Sequence, residues 1–299
     1  MRRAVVLLAV AALAGCEVNL NSEGIVSRET KRFDVTGVPE LNIETFEGSI
    51  EVHSWDRDEV EVEIERRAME QRLVDDMKIA AEQDGNRIVV KVTGPGRSED
   101  DFGGVQIGVH FSPSARMRVA LPRNSHITAM SGDGSITIED VNGKISLRTN
   151  DGSVRASRVG GEIVVRSGDG AIRIDRAEGA LDLETDDGSI TLDATPTALR
   201  ARTSDGTIRL EIKPDSVMAA DWDVQTADGS VVLTLPAEFN GVLDAETRDG
   251  VVRANHPKLR EVERNAEDRD ERRRKLQSTL GTGGRTFRIR SGDGSIRIE

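Results

Sequence analysis

Five aspartates carry the first chemical suggestion in this sequence. Asp133, Asp151, Asp169, Asp187 and Asp205 each precede a glycine and follow one another at intervals of eighteen residues. If such carboxylates stack, neighbours lie about 5 Å apart, where like charges cost roughly 1 kcal/mol per pair in water. Hydroxyls two residues earlier, on Ser131, Thr149, Ser167, Thr185 and Thr203, form a matching column. Those hydroxyls, and turn N–H groups bonding the carboxylates as Asx-turns do, would offset the repulsion and make the aspartates a structural turn ladder. Calcium in the turns is the alternative, although the Asp here comes before the glycine and the double-glycine frame of calcium-binding nonapeptide repeats is missing.

Catalytic chemistry has less to stand on. His53, His110, His126 and His256 are dispersed, and the chain holds no Gly-x-Ser-x-Gly, His-Glu-x-x-His or P-loop pattern. Arg155, Arg173 and Arg209 occupy one place in three copies of the repeat. Lined up with acids they would suit a polysaccharide-active β-helix enzyme; otherwise they belong to a solvated face of mixed charge. No catalytic residue, metal ligand or cofactor is assigned, and the expectation is a non-enzymatic protein.

The chain has one cysteine, Cys16. Arg2 and Arg3 precede an apolar run, Ala4 to Leu13, that is too short to span a bilayer and reads as a signal peptide over residues 1–15. It ends in Leu13-Ala14-Gly15-Cys16, which resembles the lipobox of bacterial lipoproteins. That resemblance implies a diacylated Cys16 that becomes the new N-terminus and takes a third acyl group, palmitate or similar, on nitrogen. An ordinary secretory signal with a chance cysteine is the other reading. Several acyl chains anchor stably where one does not. Glu17 in place of Asp points to the outer membrane, and residues 16–30 read as a tether.

The formal charge of −12, which becomes −14 once Arg2 and Arg3 are removed, argues against a nucleic-acid partner. With 29 Gly, 6 Phe, 2 Trp and no Tyr, the interior must be built from small and branched aliphatics. After each Asp-Gly the apolar residues alternate, as in Ile136 and Ile138, Val154 and Ala156, Ile172 and Ile174, Ile190 and Leu192. Period two means short strands with one buried face. Further glycines at Gly143, Gly161 and Gly179 mark a second corner nine residues after the first. Asp-Gly is expected at each corner for its tolerance of positive φ. A regular repeat of eighteen is explained by coils stacked about 4.8 Å apart, so the periodicity favours a parallel β-solenoid over a hairpin meander. Four buried branched side chains per coil, at roughly 1.5 to 3 kcal/mol each, give a thin core into which large aromatics fit poorly.

Residues 31–125 read as a less regular β region. Within it Met69, Leu73, Met77, Ala80 and Ala81 recur at helical spacing, which predicts one capping helix near 66–82. Residues 126–299 read as the regular solenoid with a charged insertion at 257–285, where Asp268 and Arg272, and Asp270 and Arg274, are spaced for an exposed helix. Thr286 to Glu299 returns to the repeat and is expected to close the array.

Together the lipobox, Phe33-Asp34-Val35, Gly48-Ser49-Ile50-Glu51-Val52, Arg118-Val119-Ala120-Leu121-Pro122 and the repeated Asp-Gly-Ser-Ile resemble the bacterial putative-adhesin family of unknown function with β-strand repeats. The resemblance implies an all-β, right-handed solenoid in the cell envelope, with a role in adhesion or envelope-stress sensing. It carries over no binding residue. The partners expected are the membrane, through Cys16, and an envelope protein or polysaccharide; a calcium-stabilised adhesin is the second reading and a polysaccharide-active enzyme the third.

Overall fold

The structure, a computed structural model, describes residues 24–96, 112–259 and 274–299. The signal peptide, Cys16, His110 and residues 260–273 of the charged insertion lie outside the described residues.

Among the described residues, twenty-two strands form one hydrogen-bonded sheet with a single helix. The chain runs through β1 (Ile25–Asp34), β2 (Glu40–Thr45), β3 (Ile50–Trp55) and β4 (Glu59–Ala68) into α1 (Gln71–Asp76). It continues through β5 (Lys78–Asp84), β6 (Arg87–Thr93), β7 (Ser114–Pro122), β8 (His126–Ser131), β9 (Ile136–Glu139), β10 (Asn142–Thr149) and β11 (Val154–Ser157). Next come β12 (Gly160–Ser167), β13 (Ile172–Thr185), β14 (Ile190–Thr203), β15 (Ile208–Ile212), β16 (Trp222–Thr226) and β17 (Val231–Thr234). The last are β18 (Gly241–Thr247), β19 (Val252–Ala254), β20 (Lys275–Leu280), β21 (Thr286–Ser291) and β22 (Ile296–Ile298).

Through the middle of the molecule, strands pair in parallel and residues eighteen apart lie side by side: Ile127, Ile145 and Ile163 in one ladder, Val154, Ile172, Ile190 and Ile208 in the other. The long strands β13 and β14 bend across both ladders, with a register shift between Asp175 and Ala177. Alternation does the rest. Leu41, Ile127, Ile145, Ile163, Leu181 and Leu199 form one buried column, each stacked on the next coil's equivalent, while the intervening residues face solvent.

Two layers are out of chain order. The β2/β3 layer sits between β6/β7 and β8/β9. At the other end β21/β22 inserts between β16/β17 and β18/β19, so the C-terminal coil is an interior layer and does not close the array. Strand pairing is satisfied by the neighbour in space, and a coil at 286–298 has the same inward pattern wherever it is stacked.

Both ends also depart from a purely parallel arrangement. β1 pairs antiparallel with β4, and β4 with β7; β5 pairs antiparallel with β6; β20 pairs antiparallel with β18. β1 therefore replaces part of the expected tether, and β20 part of the expected insertion. The helix expected over 66–82 shrinks to the six residues of α1. Residues 78–84 form β5 because the hairpin through Gly85, at φ +60°, gives their backbone a partner strand and leaves Ile79 and Ala81 against the core. Met77, Ile79 and Ala81 satisfy period two where Leu73, Met77 and Ala80 or Ala81 satisfy the helical spacing, and strand pairing decides. α1 packs Val74, with Met77 just beyond it, against Ala68 and Phe46, and Arg66 Nη1 donates to Met77 O at 2.9 Å.

Large aromatics do fit: Phe33 is buried in the core near the N-terminal end. Trp222, Phe239 and Phe287 form a buried cluster, with ring centroids 5.2 to 6.4 Å apart.

Candidate functional site: two charged ladders

The turn glycines explain how the carboxylates come to be aligned. A Cβ on Gly134 would overlap the carbonyl oxygen of Gly48, and the same clash links Gly152 to Gly134, Gly170 to Gly152, Gly188 to Gly170 and Gly206 to Gly188. The line continues through Gly229 and Gly294 to Gly250. None of the turn glycines from Gly134 to Gly250 has positive φ; that conformation belongs to Gly48 and to the second-corner glycines Gly143, Gly161 and Gly179. Close approach of coil on coil, and not the expected backbone freedom, is what excludes a side chain at Asp-Gly.

The matching hydroxyls point inward. Thr185 Oγ1 lies 2.8 Å from Gly168 O and 3.0 Å from Gly170 O in the previous coil, and Thr203 Oγ1 lies 2.9 Å from Gly188 O. Gly206 N–H donates back to Thr203 Oγ1 at 3.2 Å. Each buried hydroxyl thus joins its own turn to the one before it. The expectation that these hydroxyls offset the aspartates is corrected: they are spent on glycine carbonyls.

Asp133, Asp151, Asp169, Asp187 and Asp205 stand exposed on this line and accept no side-chain or backbone hydrogen bond among the described residues. Their coupling is visible. Partial desolvation and the charges of Asp169, Asp205 and Asp186 raise the Asp187 carboxyl above the usual aspartate range. Burial and the charge of Asp133 do the same to Glu47, which takes the aspartate's place in the variant turn. Among the described residues no three His, Cys, Asp or Glu side chains converge to hold a metal ion. The carboxylates are aligned, not convergent.

Four residues past each turn aspartate, a second line forms. The register runs Arg155, Arg173, Thr191, Arg209, Val232, Arg297, Arg253. The first three arginines are legible in the repeat; Arg297 and Arg253 become neighbours only through the inserted layer. Asp175 holds Arg173 at 2.9 Å. Arg155, Arg209, Arg253 and Arg297 have no ion pair or side-chain hydrogen bond among the described residues.

The surrounding charges are compensated. Arg158 binds Asp140 through Nε and Nη2 at 2.8 and 2.7 Å, and this hydrogen-bonded pair holds Asp140 below the usual range. Arg158 also reaches Glu139 at 3.2 Å, and Lys213 bridges Asp193 and Glu211 at 3.0 and 2.6 Å. On the outside of the other ladder Arg166 pairs with Asp182 and Glu184, Arg202 with Asp223, and Arg290 with Asp244. Much of that face neutralises itself, whereas the turn carboxylates from Asp133 to Asp205 and the guanidinium groups of Arg155, Arg209, Arg253 and Arg297 stand without an ion pair among the described residues.

Shallow troughs mark the self-neutralised face. One of about 400 Å³ is lined by Glu40, His126, Thr128, Lys144, Ser146 and Glu162, and a second of about 260 Å³ continues past Val164 to Ala198 and Arg200. His126 Nδ1 accepts from the Lys144 N–H at 3.0 Å. His53 is exposed and His256 buried, so the three described histidines share no site.

The sequence model of the Toastrack DUF4097 family matches residues 38–299. No curated protein matches the chain. Among solved structures, a putative adhesin from Bacteroides fragilis is 10% identical, with 91% of this chain and 97% of that one covered at a TM-score of 0.44. A putative adhesin from Parabacteroides merdae is also 10% identical, with coverage of 91% and 96% and a TM-score of 0.42. A putative lipid binding protein from Parabacteroides distasonis, 10% identical, covers 91% and 96% at a TM-score of 0.38.

Proposed function

Because the chain belongs to the Toastrack DUF4097 family, we propose that it is a non-enzymatic, lipid-anchored protein of the bacterial envelope that presents a repetitive outer surface to a partner. In this reading the chain winds as a right-handed solenoid of 18-residue coils, the hand that parallel crossovers adopt almost without exception. Cys16 carries the acyl chains, and the membrane is the outer one.

One observation carries the reading. The turn ladder from Gly48 to Gly250 is unbroken, so an acidic residue recurs at the same corner of each layer along it, with arginines four residues on in most of them. Such a surface suits many weak, equivalent contacts better than one reaction centre. An envelope protein or a polysaccharide is the partner class.

Anchoring and partner are tested together. Cells fed an alkynyl palmitate should label the wild-type protein and not Cys16→Ser, and the variant should move from the outer-membrane fraction to the soluble one. Capture from native envelope with the acylated protein should then retain a component that a Cys16→Ser control loses. Unlabelled wild-type protein in the soluble fraction would overturn the anchor. Release of sugar from envelope polysaccharide by the purified protein would overturn the non-enzymatic reading.

A further inference from the structure

The two uncompensated lines are complementary to each other, yet they do not meet within one molecule. Asp151 and Arg155, and Asp205 and Arg209, lie four residues apart, the aspartate in the turn and the arginine in the strand that follows, a span of at most about 13 Å. At the far end Asp249 and Arg253, and Asp293 and Arg297, repeat the arrangement, although Arg248 already reaches Asp293 at 2.6 Å and Asp249 at 3.6 Å. Between the two lines runs a column of small residues, including Ser153, Ala171 and Ser189, all exposed. Their backbones stack directly, with the N–H of Val154 donating to Ala171 O and that of Ile172 to Ser189 O, both at 2.9 Å. A band therefore runs along the stack with acid on one side, guanidinium on the other and little side-chain bulk between.

We propose that this band is a dimer interface: two copies of the chain lie side by side and parallel, related by a two-fold axis along the stacking direction. Rotation about that axis exchanges the two lines and keeps height unchanged, so in the layers that hold an arginine, Asp151 with Arg155 and Asp205 with Arg209 among them, the turn carboxylate meets the partner's arginine of the same layer. Rotation about an axis across the stack would instead set acid on acid. A linear polyanion could answer the arginines, but it would lie within about 13 Å of the aspartates, where partial desolvation and then the neighbouring carboxylates already raise Asp187. A second copy answers both lines at once. The pairing goes beyond the anchored-surface reading and holds with or without the lipid.

Sedimentation equilibrium of the full chain in density-matched detergent tests it. Dimer is expected at about 50 mM NaCl and monomer at about 500 mM, where screening is nearly complete beyond contact distance. Arg155→Glu with Arg209→Glu, and separately Asp151→Lys with Asp205→Lys, should each be monomeric alone. Mixed together at low salt they should form a one-to-one heterodimer, with circular dichroism melts confirming that both fold. Ser153→Trp, on the expected axis, should block pairing in an otherwise wild-type chain. Wild-type protein that is monomeric at 50 mM salt, folded variants that fail to pair when mixed, or a dimer indifferent to Ser153→Trp would each overturn the proposal. So would a monomer that binds polygalacturonate through Arg155 and Arg209, which would assign the line to an anionic glycan.

Discussion

Phe287 stacks beneath Trp222, edge to face, with ring centroids 5.2 Å apart, although 65 residues separate them in the chain. The two are register partners in β21 and β16, so the contact ties the inserted C-terminal layer to the coil that precedes it in space. Trp222→Ala should cost about 3–5 kcal/mol, the range for a large buried aromatic. Chain termination after Arg285 should do worse, since it removes a middle layer and exposes the edges of β17 and β19. Denaturant melts and limited proteolysis check both; a truncated chain that melts like the full one would contradict the layer order.

Gly170→Ala tests the close approach of turns. Its new Cβ meets backbone, which cannot swing aside as a flexible side chain can. A loss of about 2 kcal/mol or more is expected in chemical denaturation. Gly85→Ala, with nothing within 4 Å but φ at +60°, should cost only about 1 kcal/mol.

Thr185 separates hydroxyl from methyl. Thr185→Val keeps the shape and takes the hydroxyl from the buried Gly170 carbonyl, while Gly168 O keeps the Asp186 N–H, at about 1–3 kcal/mol. Thr185→Ser keeps the donor and should cost under about 1 kcal/mol, as Ser167 and Ser291 serve in the same position. Equal losses in the two variants would show that the hydroxyl is not what matters.

Opposite pH signs are expected at Asp187 and Asp140. The folded state raises Asp187, so its ionised form is disfavoured there, and the resulting penalty sets in as pH rises through the raised pKa. Asp187→Asn should therefore melt higher than wild type at pH 7, with the gain closing below about pH 4. Asp140 is depressed by its hydrogen bonds from Arg158, and its contribution is lost as pH falls through the lowered pKa. Asp140→Asn, which keeps a residue tolerant of φ +60°, should melt lower at pH 7 and converge with wild type in strong acid. Melting curves between pH 2 and 8, taken as roughly spanning both transitions, would reverse the assignment if the two variants moved together.

Much of the site was legible before any coordinates. Alternation after each Asp-Gly marks the strands, and eighteen-residue spacing puts Asp169 beside Asp187 and Arg155 beside Arg173. The direction of Thr185 was not legible, because a hydroxyl two residues before an aspartate has two partners within reach and only packing chooses between them. Nor was the pairing of Arg253 with Arg297, which depends on a coil inserted from elsewhere in the chain. Residues 78–84 misled for a related reason: their pattern fits two periods, and β6 supplied the partner that favours one.

Local order, then, was written in the chain: which residues turn inward, where each coil bends, and which types recur at each corner follow from side-chain polarity and backbone geometry. The order of the layers, the inward pull on the hydroxyls and the meeting of the two ends of the arginine line were settled in three dimensions. Any coil with the right alternation can stack on any other, so the choice among neighbours belongs to the whole stack, where aromatic bulk, glycine contacts and free strand edges compete at once.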